Sequence, residues 1–183
     1  MWKISKQFNF AYGHRVYTQK LKKEFALDRK CVCRHMHGHE AEVHVHLVGD
    51  ELDEQGMVTD FLHLSWLKKF FDDTVDHRFI IDAHDPWFDR LIGHDNKQYL
   101  TEAMVPNTDH VAGWVFETAK MPIYTDDEAD FFQSWFVVNF IPTSENLAKW
   151  TFDLASAKMS TIGVEVGEVE WWETPKSCSR HSG

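Results

Sequence analysis

Residues 2 to 12 carry Trp2, Ile4, Phe8, Phe10 and Tyr12 on one parity and Lys3, Ser5, Gln7 and Asn9 on the other. A period of two sends alternate side chains to opposite faces, so the run reads as a half-buried strand and requires a sheet to receive it. Glu42-Val43-His44-Val45-His46-Leu47 alternates in the same way and belongs to a second strand, which Gly49-Asp50 ends.

The period changes at Asp60. Phe61, Leu64, Leu67 and Phe71 recur at helical spacing with Lys68, Lys69, Asp72 and Asp73 on the other side, which predicts a helix over 60–74 capped by Thr59 or Asp60. Residues 83–133 mix helix-like pieces (87–92 and 111–118) with Pro86, Pro106 and Pro122 and read as an insertion. A short strand over 135–140 follows, then a Pro142-Thr143 turn with an N-cap. An amphipathic helix marked by Leu147, Trp150, Leu154 and Ala155 ends near Lys158, and a last strand covers 162–172. This order suggests an α+β chain, an antiparallel sheet with helices on one face.

The 183 residues are expected to form one domain spanning 1–183. A formal charge of −10 argues against a nucleic-acid surface. The longest clean apolar run, near Trp135 to Val138, is far below the roughly 18 residues of a membrane span, and Met-Trp-Lys-Ile-Ser lacks a signal-peptide layout, so a cytoplasmic location without membrane contact is expected. Cys31, Cys33 and Cys178 are odd in number, which turns attention from disulfides to metal or thiolate chemistry.

The chain has 12 histidines. His37 and His39 flank Gly38 on a strand-like run, where side chains two apart share a face and both imidazoles can reach one ion. A third imidazole would complete a zinc site with one open position, and His14, just past the first strand on its apolar parity, is the candidate. Such a pair also occurs as ordinary histidines of a His-rich surface segment. His44 and His46 form a second pair on the opposite face, suited to solvent or a subunit contact. Cys33, four residues before His37, is a thiolate base or nucleophile, a fourth metal ligand, or an inert buried thiol. Asp76-His77 pairs a carboxylate with an imidazole it can orient, and is equally a helix C-terminal feature. Glu173, beside Trp171-Trp172, is a solvated strand-end carboxylate or the acceptor for a donor-rich, guanidine-like ligand edge.

Taken together, Phe10-Ala11-Tyr12-Gly13-His14-Arg15, Cys33 with His37-Gly38-His39, Gly56-Met57-Val58-Thr59-Asp60-Phe61, Asp76-His77, Pro142-Thr143-Ser144-Glu145-Asn146-Leu147-Ala148 and Glu173-Thr174 resemble the 6-pyruvoyltetrahydropterin and 6-carboxytetrahydropterin synthase family, in the family's order across nearly the whole chain. The resemblance implies the tunnelling fold, a four-stranded antiparallel sheet backed by two helices, with subunit sheets closing into an oligomeric barrel, a hexamer or tetramer. It implies Zn2+ on His14, His37 and His39, catalysis by Cys33, Asp76 and His77, a pterin anchored by Glu173, and Thr143, Ser144 and Glu145 lining the pterin pocket across a subunit interface. Cysteine four residues before the His-Gly-His resembles the 6-carboxy branch, which serves queuosine and other 7-deazaguanine synthesis, and cysteine six before it resembles the pyruvoyl branch. Cys33 and Cys31 satisfy both, while Pro-Thr-Ser-Glu and the Glu-Thr followed by Cys178 resemble the 6-carboxy branch. The implied enzyme is a lyase that converts 7,8-dihydroneopterin triphosphate to 6-carboxy-5,6,7,8-tetrahydropterin with loss of acetaldehyde and triphosphate. The alternatives are a pyruvoyl synthase and a non-catalytic pterin- or metal-binding module of the same fold. Lys20, Lys22, Lys23, Arg29, Lys30, Arg34, Lys176 and Arg180 are the cations available to a triphosphate.

Overall fold

The opening alternation persists in the computed structural model, which describes residues 1–25 and 31–183, as strand β1 (Trp2–His14). The order continues β2 (His37–Gly49), α1 (Ser65–Thr74), β3 (Arg78–Asp82), α2 (Phe88–Ile92), β4 (Leu100–Met104), β5 (Val111–Phe116), α3 (Asp126–Gln133), β6 (Trp135–Val138), α4 (Ser144–Met159), β7 (Glu165–Thr174) and β8 (Ser177–Ser182). The strands form one sheet ordered β4-β5-β6-β3-β1-β2-β7-β8.

Of the four strands expected, three are β1, β2 and β7, but the short strand expected over 135–140 is β6, which pairs in parallel with β3, and β8, which the sequence did not predict, completes the antiparallel run β1-β2-β7-β8. The sheet has eight strands, however, because β3 joins β1 in parallel at Tyr12 and Gly13, β6 joins β3 in parallel, and β5 and β4 extend it further. The insertion over 83–133 is therefore built into the sheet. Its segment 111–118, which reads as helix-like, is strand β5 instead. Val111 and Val115 stiffen an extended backbone, and sheet pairing overrides a helical spacing of apolar residues. At Gly113 a Cβ would stand 2.6 Å from Phe136 Cζ, so only glycine allows this close approach.

Helices cover both faces rather than one. The even residues of β1 and the odd residues of β2 bury Phe8, Phe10, Val43 and Val45 against Leu67 and Phe71 of α1 and Leu147 and Leu154 of α4. Ile81, Trp135 and Val137 point the other way, into a second cluster with Phe88 and Ile92 of α2 and partly buried Phe132 of α3. A strand buried on both faces reads as an uninterrupted apolar run, and Trp-Phe-Val-Val of β6 is one. Asp60 accepts from the amide of Leu62 ahead of α1, and Thr143 accepts from that of Asn146 at the start of α4, so both expected starts are capped. No helix among the described residues is long and apolar enough to cross a membrane.

Candidate metal centre and pterin cleft

Register sets the site. In the β1–β2 ladder His14 lies opposite His37, Gly13 opposite Gly38 and Tyr12 opposite His39, so three imidazoles meet at one end of the helix-covered face. Their ring centroids are 4.5, 5.1 and 4.9 Å apart, and one ligand nitrogen from each falls within 4.8 Å of the others. A Cβ on Gly38 would lie 3.0 Å from the Tyr12 carbonyl oxygen, which explains the small residue between the two histidines.

A backbone carbonyl orients two of the rings. His14 Nδ1 is 2.6 Å from the oxygen of Pro142, and His37 Nδ1 is 2.8 Å from that of His35. A ring nitrogen that donates to a carbonyl leaves the other unprotonated, the form a metal requires. His14 Nε2 is buried with no hydrogen-bond partner, a costly arrangement for a polar atom unless a cation fills the space. Burial holds the His14 imidazole down at about 4, with His37 and His39 adding to the effect, and burial also lowers His39. The three residues fit a metal that takes neutral nitrogen ligands.

Glu173 closes one side. Its Oε1 is 3.7 Å from His14 Nε2 and accepts a bond of 3.3 Å from the Tyr12 hydroxyl. Burial raises its carboxyl above the ordinary range, with the charge of Glu145 adding, against the Tyr12 bond and His37. Pro142 and Glu145, on either side of Thr143 and Ser144, reach His14 and Glu173 of the same chain, the first through its carbonyl and the second through its charge. Ser144 Oγ lies 2.7 Å from Ser179 Oγ on β8, tying this turn to the sheet.

Cys33 belongs to a short 3-10 turn (Val32–Arg34) leading into β2. Burial pushes its thiol up, and neighbouring Cys31 and Glu173 push it further. Cys31 donates instead to Gln19 Oε1 at 2.7 Å. Asp76 and His77 occupy the turn between α1 and β3, where Asp76 Oδ1 accepts from the Ala11 amide and the His77 amide donates to the Ala11 carbonyl. Asp76 Oδ1 is also 2.9 Å from His77 Nδ1. His77 is in the left-handed region at φ 58°, and its side chain is 82% exposed. A cleft of about 1000 Å3 runs past Tyr12, His37, His39, Asp76, His77 and Arg78. It shares Asn9, Gly38, His39 and Glu40 with a second hollow that reaches Glu173.

Tyr12, expected only as an apolar-parity residue of the first strand, also carries a hydroxyl at the site, bonded to Glu173 and Trp171, and that one polar atom in an apolar row is the signal for it in the sequence. The cations are less concentrated than expected. Arg34 binds the Gln19 carbonyl, Arg180 pairs with Glu170, and Lys20, Lys22, Lys23 and Lys176 are exposed, while Arg29 and Lys30 lie outside the described residues. His46 stands with Glu168 and Glu170 as a second group of possible ligands, but Lys3 and Arg180 already neutralise those carboxylates. His44 is bonded to Glu42.

Residues 3–183 match the family described as 6-pyruvoyl tetrahydropterin synthase. The chain belongs to that family. It is 33% identical over 191 aligned residues to the 6-carboxy-5,6,7,8-tetrahydropterin synthase of Aquifex aeolicus, covering 98% of this chain and 97% of that one. It is 42% identical over 155 residues to a putative 6-carboxy-5,6,7,8-tetrahydropterin synthase of Pyrococcus horikoshii, covering 82% and 76%. Both relatives carry the 6-carboxy name, as the expected branch does. Among solved structures, an uncharacterized protein of Wolinella succinogenes superposes with a TM-score of 0.90 at 41% identity, covering 100% and 98%. The 6-pyruvoyl tetrahydropterin synthase of Plasmodium falciparum, 16% identical with a TM-score of 0.56 over 100% and 97%, shares the fold.

Proposed function

We propose that this family member is a cytoplasmic, zinc-dependent 6-carboxytetrahydropterin synthase, a lyase converting 7,8-dihydroneopterin triphosphate to 6-carboxy-5,6,7,8-tetrahydropterin with release of acetaldehyde and triphosphate, in 7-deazaguanine and queuosine synthesis. The carrying observation is the set of three imidazoles whose ligand nitrogens converge beside Glu173, two of the rings held by a backbone carbonyl at the other nitrogen. Three nitrogen ligands with a position left open are the catalytic arrangement of zinc, which would be held by His14, His37 and His39 and, when bound, supplies a Lewis acid next to the substrate's side-chain hydroxyls.

The remaining roles fall to the chain's own atoms. Glu173 accepts the amino and ring N–H edge of the pterin, a pair of parallel charge-assisted bonds that fixes orientation. Thr143, Ser144 and Glu145 border that pocket. Cys33 moves a proton as general base from the turn that leads into β2. His77 is the partner, because Asp76 holds its Nδ1 and leaves Nε2 to take or give a proton. An exposed His77 beside a strand whose outer edge is largely open supports a homo-oligomer, hexamer or tetramer, in which a neighbouring copy completes each site.

The test is to incubate zinc-loaded protein with 7,8-dihydroneopterin triphosphate and weigh the products. Carboxytetrahydropterin with acetaldehyde is expected. Pyruvoyltetrahydropterin would move the chain to the other branch, and pterin binding without turnover would make it a binder.

A further inference from the structure

The bond between Tyr12 and Glu173 has a direction fixed by chemistry. Trp171 Nε1 lies 3.2 Å from the Tyr12 hydroxyl, and an indole nitrogen can only donate. The Tyr12 oxygen therefore accepts from Trp171, and its single proton goes to Glu173 Oε1 at 3.3 Å. Nothing in this relay is loose: Tyr12 is 3% exposed and Trp171 fully buried, their rings meeting edge-to-face at 5.5 Å. The same Oε1 is 3.7 Å from His14 Nε2, the nitrogen left free for a metal. Two neighbours thus compete for one carboxylate oxygen.

We infer that Tyr12 is a positioning residue for the pterin anchor: it holds Glu173 Oε1 away from the three-histidine centre and aims the remaining acceptor positions at the ligand edge. The inference rests on the reading of Glu173 as that anchor. Without the hydroxyl, the carboxylate is free to turn toward the histidines, so ligand binding suffers before the chemistry does.

Tyr12→Phe removes one oxygen and leaves the ring. Affinity for 7,8-dihydroneopterin, followed by fluorescence on the zinc-loaded protein, is expected to fall about tenfold or more, as the loss of a bond to a charged group implies, with KM rising and kcat little changed. The second readout is a double-mutant cycle: in a Glu173→Gln background Tyr12→Phe should cost little further affinity, since its effect runs through Glu173. A third is the visible spectrum of cobalt-substituted protein, in which Tyr12→Phe should show a changed ligand field that Tyr12→Phe/Glu173→Gln lacks. Unaltered affinity in Tyr12→Phe, or an equal loss in both backgrounds, overturns the inference while leaving the function standing. Wild-type protein that neither binds nor converts the pterin overturns both. If Tyr12→Phe does not fold, Trp171→Phe, which removes only the donor to the hydroxyl, must show a smaller loss of the same kind, and unaltered affinity there counts against the relay.

Discussion

The Nδ1 atom of His14 lies 2.6 Å from the carbonyl oxygen of Pro142, which joins the end of the first strand to the turn that starts α4. That carbonyl selects the tautomer of the buried ring, so the capacity of His14 Nε2 to take a metal depends on a residue outside the three-histidine set. His14→Ala should lower zinc affinity more than about 100-fold, beyond the loss typical of outer-shell partners, while the far-ultraviolet circular dichroism is retained. Zinc titration calorimetry and metal analysis check this; a wild-type zinc content in the variant would remove His14 from the centre.

The exposed His77 predicts complementation between subunits. His77→Ala and His39→Ala should each lose about 100-fold or more of the activity, the first while keeping its zinc. Mixed after gentle dissociation and reassembly, they should recover activity that neither shows alone, because some interfaces then pair an intact His77 with an intact centre. No recovery, with mixed oligomers demonstrated by native mass spectrometry, would put both residues to work within one chain.

Burial, then Cys31 and Glu173, raise the Cys33 thiol, which places it within reach of the Glu173 charge, whereas Cys31 is bonded to Gln19. Cys33→Ala should therefore reduce kcat by about 100-fold or more, and Cys31→Ala by only a small factor. Initial rates with matched zinc content decide between them, and the reverse ranking would transfer the proton-moving role to Cys31.

His46 makes stability depend on acidity. Burial lowers its folded pKa, with Lys3 adding, against the opposing pull of Glu170 and Glu168, so the unfolded chain takes up the proton first. A depressed folded value means stability that is present above the ordinary histidine pKa of about 6.5 and lost as pH falls below it. The melting temperature should drop between neutral and mildly acid solution, and His46→Gln should drop less over the same range. Equal slopes would mean that His46 carries none of the acid sensitivity.

The insertion can be tested through its packing. Gly113→Ala forces a methyl against Phe136 and the Val137 carbonyl, 2.6 and 2.7 Å from the new atom. Overpacking of this kind costs about 1–3 kcal/mol, which thermal or urea unfolding should register as a single shifted transition. A separate early transition would show that β4 and β5 unfold independently of the rest.

How much of this was readable in advance depended on whether each residue's pattern was local. The long strands were legible because Phe8, Phe10 and Tyr12, like Val43 and Val45, keep a period of two over a half-covered face. His37 and His39 were legible as a pair for the same reason. β8 was not, since Ser177 to Ser182 form an outer strand with little apolar pattern. β3 was hidden because Phe79-Ile80-Ile81 is a short run buried on both faces, and periodicity is silent there. The role of Tyr12 depends on Trp171 and Glu173, some 160 residues away, which no local pattern reveals.

β3 meets β1 only at Tyr12 and Gly13, and Asp76 and His77 bind Ala11, so from Trp2 to Phe10 β1 has β2 on one side and no strand on the other among the described residues. β8 likewise borders the sheet at its far end. These two strands adjoin the two ends of the sequence as given, so a purification tag fused at either end is delivered straight to an exposed row of peptide groups, where it can block assembly or nucleate aggregation.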